Sequence, residues 1–409
     1  MENESREKHL EPVDSGHRAK KSVFRFLRWR DLAVVIVGVS VGLWLNHHFT
    51  PYNPTDYQKW QARPQLAAVG GLRGDERSEQ SGLPPCLFIA PQGGAQHFVS
   101  GSLGDCLRLV PDGTQTDVFE IPLTGGFLHV KTDLYVSDVV PLAFTRCVVP
   151  LDDWAKRFHV YVPHVYDLFM YGDRFPYTYL NWILPDRQEV HYQRVSAGTR
   201  YEDAVYEATA ADQTFSKSRI AWNGYGWDLN FESGLTLLSP DAYYATRPQQ
   251  GSVVGIFDKE GRETQLKRDS DGELKKIVAA DGAWIQLSYS RGRLSEAKDS
   301  LGETVKYSYD TDNRLVGVIY STGSTIRYEY DSANRVVEVE GSPGGFLLRN
   351  KYGSGGNVEE ISVGREIYRM RWLVGDVDVD LVGPTGDVRR VHFAKQNGMM
   401  TYGVQKLEQ

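Results

Sequence analysis

The sequence predicts an all-β fold in which a spiral or open sheet of β-hairpins follows a β-rich domain, with one transmembrane helix near the N-terminus. Three observations support this prediction. Residues 271–352 repeat about every 21 residues, because the turn residues Gly272, Gly292, Asn313 and Asn334 recur at nearly constant spacing. The chain also contains 23 tyrosines and 40 glycines in 409 residues, which favours strands joined by many turns. Finally, a basic stretch followed by an apolar run lies close to the N-terminus.

This N-terminal segment is typical of a membrane anchor. Residues 15–30 contain six basic and no acidic residues, and the apolar run Leu32–Leu45 follows at once. The run is shorter than the ~20 residues that span a bilayer, but apolar side chains at residues 23–29 can extend it. We therefore predict a basic cytoplasmic tail at residues 1–31, a single-pass anchor at residues 32–49, and the bulk of the chain on the extracytoplasmic side. A cleaved signal peptide and a buried core helix are the alternatives.

The segments after the anchor differ in composition. Residues 50–85 are rich in proline, glycine and charge and are interpreted as a linker. We predict a β-rich pre-repeat domain at residues 86–250, repeats at residues 251–395, and a frayed C-terminal tail at residues 396–409. Alternating and β-branched patterns predict strands in the pre-repeat domain, and a short helical turn is expected near residues 151–156. The predicted strands lie at residues 127–130, 142–148, 177–183, 189–194 and 235–238.

Each repeat has the pattern of a meandering hairpin. In Thr304–Tyr309 the side chains alternate between two faces, and Tyr, Val and Thr suit a pleated surface. The aspartate that closes the strand can accept hydrogen bonds from its own turn, and the Gly or Asn that follows accepts a left-handed conformation. Leu294, Leu315 and Val336 occupy matching positions on the return strands and are expected to point into the core. An exposed terminal strand is a template for pairing, so we expect the C-terminal tail or another chain to cover the last repeat.

The motif Tyr-x-Tyr-Asp-x-x-x-Arg-Leu at residues 307–315, with its near copy at residues 328–336, resembles the YD repeat of the RHS family, found in bacterial RHS proteins and animal teneurins. The resemblance extends upstream through the segments at residues 125–135 and 141–146 and covers roughly residues 120–395. It implies a β-rich spiral that in long members closes into a hollow shell around a C-terminal toxin or ligand-binding module. Here four clear units are present and the family's Asp-Pro cleavage segment is absent, so we expect neither a closed shell nor a toxin activity.

The residues singled out by the repeat pattern are structural, and we predict no catalytic, cofactor-binding or metal-ligating residue. The acidic run that ends at Asp380 resembles the start of a calcium loop, but Leu381 stands where that loop requires glycine, so an exposed strand with one wet face is the better interpretation. Cys86 and Cys106 could form a disulfide that leaves Cys147 unpaired, and reduced thiols are the alternative. The repeat-motif residues are Gly292, Tyr307, Tyr309, Asp310, Asn313, Leu315, Tyr328, Tyr330, Asp331 and Asn334.

These features favour a membrane-anchored structural or binding module at the bacterial cell envelope, without a cofactor. Beyond residue 31 the chain has 38 basic and 47 acidic residues, which argues against nucleic-acid binding. A protein or carbohydrate ligand suits an aromatic β-surface. One alternative is an accessory partner, or a remnant, of a longer RHS toxin system. The other is a glycan-acting enzyme in the pre-repeat domain that uses carboxylates such as Asp153 or Asp186.

Overall fold

A computed structural model describes residues 83–89, 97–101, 117–121 and most of residues 126–407. The gaps in the last range are residues 138, 150–161, 174, 186–188, 210–214, 216, 243, 344, 374–378 and 397–398. All the described residues belong to one compact unit, Pro51–Gln409. Among them no helix is both long and apolar enough to cross a membrane. The predicted cytoplasmic tail, the anchor at residues 32–49 and the short helical turn near residues 151–156 lie outside the described residues.

The described chain is all-β, as predicted, and forms two antiparallel sheets. The first sheet consists of β1 (Leu83–Ile89), β2 (His97–Gly101), β3 (Asp117–Ile121), β4 (Leu128–Val136) and β5 (Leu142–Val148). The second begins with β6 (Phe169–Gly172), β7 (Tyr179–Ile183), β8 (Glu189–Arg194), β9 (Val205–Ala208), β10 (Arg219–Trp222), β11 (Gly226–Asn230) and β12 (Thr236–Pro240). A short 3-10 helix at Pro248–Gly251 follows.

The second sheet continues without interruption through the repeats. Its remaining strands are β13 (Gly255–Phe257), β14 (Glu263–Arg268), β15 (Leu274–Val278), β16 (Trp284–Ser290), β17 (Arg293–Asp299), β18 (Thr304–Tyr309), β19 (Leu315–Tyr320), β20 (Thr325–Tyr330), β21 (Val336–Ser342), β22 (Leu347–Tyr352), β23 (Val358–Val363), β24 (Glu366–Trp372), β25 (Val379–Val382), β26 (Val388–Gln396) and β27 (Met399–Leu407). From β6 to β27 each strand pairs with the next one along the chain. The strands predicted from sequence in the pre-repeat region overlap β4, β5, β7, β8 and β12, although β4 continues six residues beyond its predicted end. Since β12 pairs with β13, the sheet crosses the predicted boundary at residue 250.

The repeat strands show the alternation that the sequence predicts. In β20 the buried residues are Ile326 and Tyr328, whereas Arg327 and Glu329, which alternate with them, are exposed. Leu294, Leu315 and Val336 are all buried in one core. The ladder shifts register just before the second aromatic residue of each repeat, for example between Ser308 and Tyr309 in β18. Such a bulge increases local twist, which suits a sheet that must coil.

The sheet curls so that distant segments meet. The amide of Val253 donates to the carbonyl of Leu168 over 3.0 Å, and Phe169 forms an isolated bridge with Ser252. The hairpin of β4 and β5 packs against the repeats, because β4 contacts β17 and β18 while β5 contacts β16. Buried side chains of β4 and β5 such as Leu134 and Phe144 therefore share one core with the repeat strands, whereas Leu128, Val130 and Cys147 belong to a second cluster.

Three expectations from sequence are wrong. The segment expected to fray forms β27, which pairs with β26 along nine residues, so the tail covers the last repeat strand. Cys147, expected to stay unpaired, is disulfide-bonded, and it lies fully buried within β5. Asp380, expected on a wet face, is only 7% exposed, because its carboxylate receives two hydrogen bonds from the guanidinium of Arg390 at 2.6 and 2.9 Å.

Candidate functional site

The predicted turn residues form a closed hydrogen-bonded unit. Asp310 Oδ1 accepts hydrogen bonds from the amides of Asp312 and Arg314 at 3.0 and 2.9 Å, and its Oδ2 accepts one from Arg314 Nε at 2.7 Å. Asn313 lies in the left-handed region, with φ of 68°. One repeat later Asp331, Arg335 and Asn334 repeat the same geometry, with φ of 62° at Asn334. The Asp and Arg of the motif are therefore partners within one turn.

The same arginines also join one repeat to the next. The guanidinium of Arg314 lies 5.1 Å from the ring centroid of Tyr330, and its Nη1 donates to Oδ1 of Asn334 at 3.2 Å. Arg293 lies 5.2 Å from the ring centroid of Tyr309 and donates to Asn313 at 2.7 Å. A planar guanidinium suits both contacts at once, because it can stack on a ring while donating in its own plane. These contacts join the Asn, Arg and second Tyr of the motif in a ladder that runs from one turn to the next.

The second tyrosine of each repeat does not find the same hydroxyl partner throughout. Tyr330 Oη donates to the carbonyl of Leu315 at 2.8 Å, and Tyr352 Oη donates to that of Val336 at 2.8 Å. The hydroxyl of Tyr309 is buried and has no hydrogen-bond partner among the described residues. Gly292, the turn glycine of the preceding unit, adopts φ of 71° in open space. The repeat is therefore regular in backbone but irregular at this one hydroxyl.

The first tyrosine of the motif is buried in the core. Tyr307 Oη donates to Asp133 Oδ2 at 2.8 Å, and Tyr320 Oη donates to Asp133 Oδ1 at 2.6 Å. Arg146 in β5 donates from Nε to Asp133 Oδ2 at 2.7 Å and from Nη1 to Tyr328 Oη at 2.5 Å. The hairpin of β4 and β5 is thus bonded to the inner face of two consecutive repeats.

Asp133 and Arg146 form an ion pair with no solvent exposure of either side chain. Burial opposes the charged form of Arg146, but the carboxylate of Asp133 outweighs it and raises the pKa of the guanidinium well above its ordinary value. Burial raises the pKa of Tyr307 and Tyr320, and the neighbouring Asp133 carboxylate adds to this, so both hydroxyls stay protonated and remain donors. The carboxylate accepts three short bonds, which is the condition for a buried charge to be tolerated.

His129 extends the network toward the solvent. Its Nδ1 lies 2.7 Å from Tyr328 Oη, and its Nε2 lies 2.9 Å from Asp117 Oδ1. Burial lowers the pKa of His129 to about 4, so the ring is neutral near pH 7. The consistent assignment has Nε2 donating to Asp117 and Nδ1 accepting from Tyr328, whose oxygen in turn accepts from Arg146. Burial opposes the charge of Asp117, but hydrogen bonds from His129 and Lys131 lower the pKa of its carboxyl below the ordinary value.

The arrangement joins the β4–β5 hairpin to the repeat strands. His129, Asp133 and Arg146 lie in the interior, and the atoms named for these three side chains all have hydrogen-bond partners. We therefore interpret the network, defined by Asp117, His129, Asp133, Arg146, Tyr307, Tyr320 and Tyr328, as an internal polar clasp. Sequence reasoning missed its pairing. The available signal was charged residues within two strands that also carry many apolar residues, Lys131 and Asp133 in β4 and Arg146 in β5.

Asp153 and Asp186 are outside the described residues, so the structure does not test them as catalytic carboxylates. His191 in β8 makes a 2.7 Å hydrogen bond with the side-chain amide of Asn181 and stacks on Tyr179. Among the described residues no group of His, Cys, Asp and Glu could hold a metal ion.

Comparisons with known proteins found one matching family model and several similar solved structures. The model of the RHS repeat matches residues 289–325 and 309–346. The chain is similar to the crystal structure of TcdB2-TccC3-Cdc42, with 12% identity and a TM-score of 0.31, covering 69% of this chain and 16% of that one. It is similar to TcdB2-TccC3 without the hypervariable C-terminal region, with 10% identity and a TM-score of 0.31, covering 74% of this chain and 20% of that one.

This chain spans a fifth or less of the length of those structures. No curated protein matches it. The match to the RHS repeat begins at Tyr289 and runs through the strands and turns of β18 to β21, where the Asp–Arg turns and the inner tyrosines are found. Residues 289–346 are therefore RHS repeats.

Proposed function

We propose that this RHS-repeat protein is a membrane-anchored structural or binding module of the bacterial cell envelope, and that it meets its partner with its outer surface. The observation that carries the proposal is the internal polar clasp. Inner repeat tyrosines such as Tyr307 and Tyr328, which would line the inside of a hollow shell, are bonded instead to Asp133, Arg146 and His129 of the chain's own hairpin. At these repeats the inner face is occupied, which favours a scaffold over a container.

The outer face of the repeats supports a binding role. Outward residues of β18 and β20 include Lys306, Ser308, Arg327 and Glu329, all exposed, so that charges of both signs alternate along the sheet. Ile319 adds an apolar side chain that is 51% exposed. A mixed surface of this kind suits a protein or carbohydrate partner, whereas binding to nucleic acid would require a basic one.

Membrane anchoring rests on the sequence of residues 15–49, with its basic flank and apolar run. Fractionation of native cells tests it. The full-length chain is expected to sediment with membranes, to resist extraction at alkaline pH, and to require detergent for release. Protease added outside spheroplasts is expected to remove the repeats and to spare an epitope placed before residue 31. Recovery of the chain in the soluble fraction would refute the anchor.

Cross-linking of the full-length chain in native cells, followed by purification in mild detergent and mass spectrometry, tests the partner. A specific envelope protein that cross-links through lysines of the outer repeat face, such as Lys306, would support the binding role. Cross-links to a large RHS protein would instead favour the alternative in which this chain is an accessory of a longer toxin system. Glycan hydrolysis by the purified chain, lost on replacing Asp153 or Asp186, would favour the enzymatic alternative.

A further inference from the structure

The turn between β16 and β17 lacks the carboxylate that the later turns of the repeat contain. In those turns Asp310 Oδ2 accepts a 2.7 Å hydrogen bond from Arg314 Nε, and the next repeat forms the same ion pair. Between β16 and β17 the residue after the second tyrosine is Ser290, and Arg293 lies directly opposite it in the ladder. The motif therefore keeps its arginine at position 293 but has no aspartate within the turn to pair with it.

Arg293 keeps the two contacts that join one repeat to the next. Its Nη1 donates to Asn313 at 2.7 Å, and its guanidinium lies 5.2 Å from the ring centroid of Tyr309. In Arg335 the Nε and Nη2 atoms lie 2.7 and 2.6 Å from a carboxylate oxygen. The same two atoms of Arg293 have no hydrogen-bond or ion-pair partner among the described residues. Two donors of this guanidinium are therefore available to an acceptor from outside the chain.

Arg291 adds a second guanidinium at the tip of the same turn. The residue is exposed, and its side chain has no hydrogen-bond or ion-pair partner in the part of the chain that the structure describes. Its φ is 53° and that of Gly292 is 71°, so both tip residues are left-handed. Asn, Asp and Gly are the residues that such a turn favours, and arginine offers the backbone no advantage there. An arginine at this position is explained by its side chain and not by its backbone.

Arg291 and Arg293 both line a cavity of about 250 Å³. The turn between β14 and β15 and the start of the 3-10 helix contribute to its walls. The side chains of Arg247 and Asp271 at the wall are 53% and 56% exposed, so the cavity is open to solvent. At ~30 Å³ per water molecule its volume is that of roughly eight waters, which suits a ligand the size of one monosaccharide.

Two of the three acidic residues that line the cavity are already paired with cations. Asp271 lies 3.2 Å from Arg247, and Glu273 accepts a 2.7 Å hydrogen bond from Lys275. Arg268, which also lines the cavity, is buried and donates to three backbone carbonyls at 2.9, 3.0 and 2.5 Å. These charged groups are therefore engaged within the chain.

The third carboxylate, that of Asp167, is bonded to its own turn. Its Oδ2 accepts a 3.0 Å hydrogen bond from the amide of His164, and its Oδ1 lies 3.5 Å from His164 Nε2. Burial lowers the pKa of His164, so the ring adds no charge near pH 7. Four arginines and three carboxylates thus line the cavity, which leaves a surplus of one positive charge. The charged groups without partners are Arg291 and Arg293, so the cavity presents unpaired donors to a ligand and no unpaired carboxylate.

We propose that Arg291 and Arg293 bind the carboxylate group of a monosaccharide-sized ligand in this cavity. The ligand carboxylate takes the part for Arg293 that Asp331 plays for Arg335, accepting from Nε and Nη2. A planar guanidinium and a planar carboxylate match in this geometry, and the hydrogen bonds are strengthened by charge. A neutral molecule of the same shape lacks that interaction, and a cation is repelled. This site is independent of the membrane anchor and of the outer repeat face.

The test pairs acidic with neutral sugars. Glucuronate and galacturonate differ from glucose and galactose by the carboxylate alone, and inorganic phosphate serves as the control anion. Isothermal titration calorimetry of the full-length chain in mild detergent measures binding. We expect saturable binding of at least one of the two acidic sugars, weakened as the salt concentration is raised, and at least tenfold weaker binding of its neutral counterpart. Absence of binding by both acidic sugars, equal binding of the neutral ones, or tighter binding of phosphate would overturn the proposal.

Two substitutions locate the site. Arg291→Gln removes a guanidinium that has no partner among the described residues, so we expect an unchanged thermal midpoint and about tenfold weaker binding of the acidic sugar. Ser290→Asp places a carboxylate directly opposite Arg293, where it competes with the ligand. We expect this variant to bind the acidic sugar at least tenfold more weakly without a lower thermal midpoint.

Arg327→Gln is the matched control, because Arg327 is an exposed arginine of β20 that does not line the cavity. It should bind the acidic sugar as tightly as the unsubstituted chain. Unchanged affinity in either Arg291→Gln or Ser290→Asp, or an equal loss in Arg327→Gln, would show that the carboxylate is not bound at this turn.

Discussion

Asp133 and Arg146 form a buried ion pair in which the guanidinium Nε donates to the carboxylate Oδ2 over 2.7 Å, with both side chains fully shielded from solvent. The two residues lie on neighbouring strands of one hairpin. Each also bonds to a tyrosine of a different repeat, Asp133 to Tyr307 and Arg146 to Tyr328. The pair therefore links the pre-repeat hairpin to the repeats.

Removal of one member of this pair should be strongly destabilising. Arg146→Met leaves the carboxylate of Asp133 buried without its cation, at an expected loss of about 3–5 kcal/mol in the free energy of unfolding. Asp133→Asn leaves the guanidinium without its anion. In the double variant neither charge is left buried without its partner. We therefore expect its loss in unfolding free energy to be about 1–3 kcal/mol smaller than the sum of the two single losses. Urea unfolding of the four proteins measures this coupling, and additive losses would show that the two charges do not depend on each other.

The hydroxyl of Tyr328 is predicted to matter far more than that of Tyr309. Tyr328→Phe leaves Arg146 Nη1 and His129 Nδ1 without a partner, so we expect a loss of about 1–3 kcal/mol in unfolding free energy. Tyr309→Phe removes a hydroxyl that has no partner among the described residues, so we expect little change in unfolding free energy. Equal effects of the two substitutions, measured by urea unfolding, would contradict the hydrogen-bond assignment of the clasp.

Acid should destabilise the protein in two stages. The pKa of His129 falls from 6.5 to about 4 on folding, so the unfolded state binds a proton that the folded state does not. Stability from this group is thus lost as pH falls from about 6.5 to about 4, by about 3 kcal/mol at ~1.4 kcal/mol per pKa unit. Below pH 4, protonation of Asp117, whose pKa is lowered in the folded state, removes a further contribution.

Thermal midpoints of the unsubstituted chain and of His129→Gln, both measured from pH 7 to pH 4, test whether His129 is the source of this acid sensitivity. The variant is expected to be less stable at pH 7 but to lose less between pH 6.5 and 4. The slope of the thermal midpoint against pH should be smaller in the variant but not zero, because His164 is also buried with a lowered pKa. An identical slope in both proteins would exclude His129 as the source of the acid sensitivity.

The stacked arginines are predicted to require a guanidinium. Arg314→Lys keeps the charge but cannot stack on Tyr330 while bonding to Asp310 and Asn334, so we expect a loss of about 1 kcal/mol. Arg327→Lys, on the exposed face of the neighbouring strand, is the control and should change stability by less than about 0.5 kcal/mol. The urea-unfolding midpoints of the two variants are compared. An unchanged midpoint in Arg314→Lys would show that the contacts of Arg314 contribute little to stability.

Glycine at position 292 is predicted to be required by its backbone alone. Its φ is 71°, and a Cβ there would meet no atom within 4 Å. Gly292→Ala should therefore lose about 1 kcal/mol through strain in the left-handed conformation and not through a clash. Gly355→Ala is the matched control, because that site is equally open but has no positive φ. Equal stability of the two variants in thermal unfolding would refute the conformational explanation.

The sequence by itself determined the repeat period, the repeat strands and the chemistry of their turns. Asp310, Asn313 and Arg314 act within four residues of one another, and Leu315 alternates inward for reasons local to its strand. Hydrogen bonds and side-chain alternation over such short separations depend only on neighbouring residues, so they can be predicted without a structure.

Only the tertiary structure decided which side chains meet across the core. Tyr307 bonds to a residue 174 positions away, and Tyr328 bonds to His129 across 199 positions. Similarly, the disulfide bonding of Cys147 and the strand formed by the C-terminal tail were not predicted. The physical reason is that these contacts depend on how far each hairpin twists the sheet. The twists of successive hairpins add up to the curl that brings β4 and β5 against the repeats. This total twist cannot be predicted from any local pattern of residues.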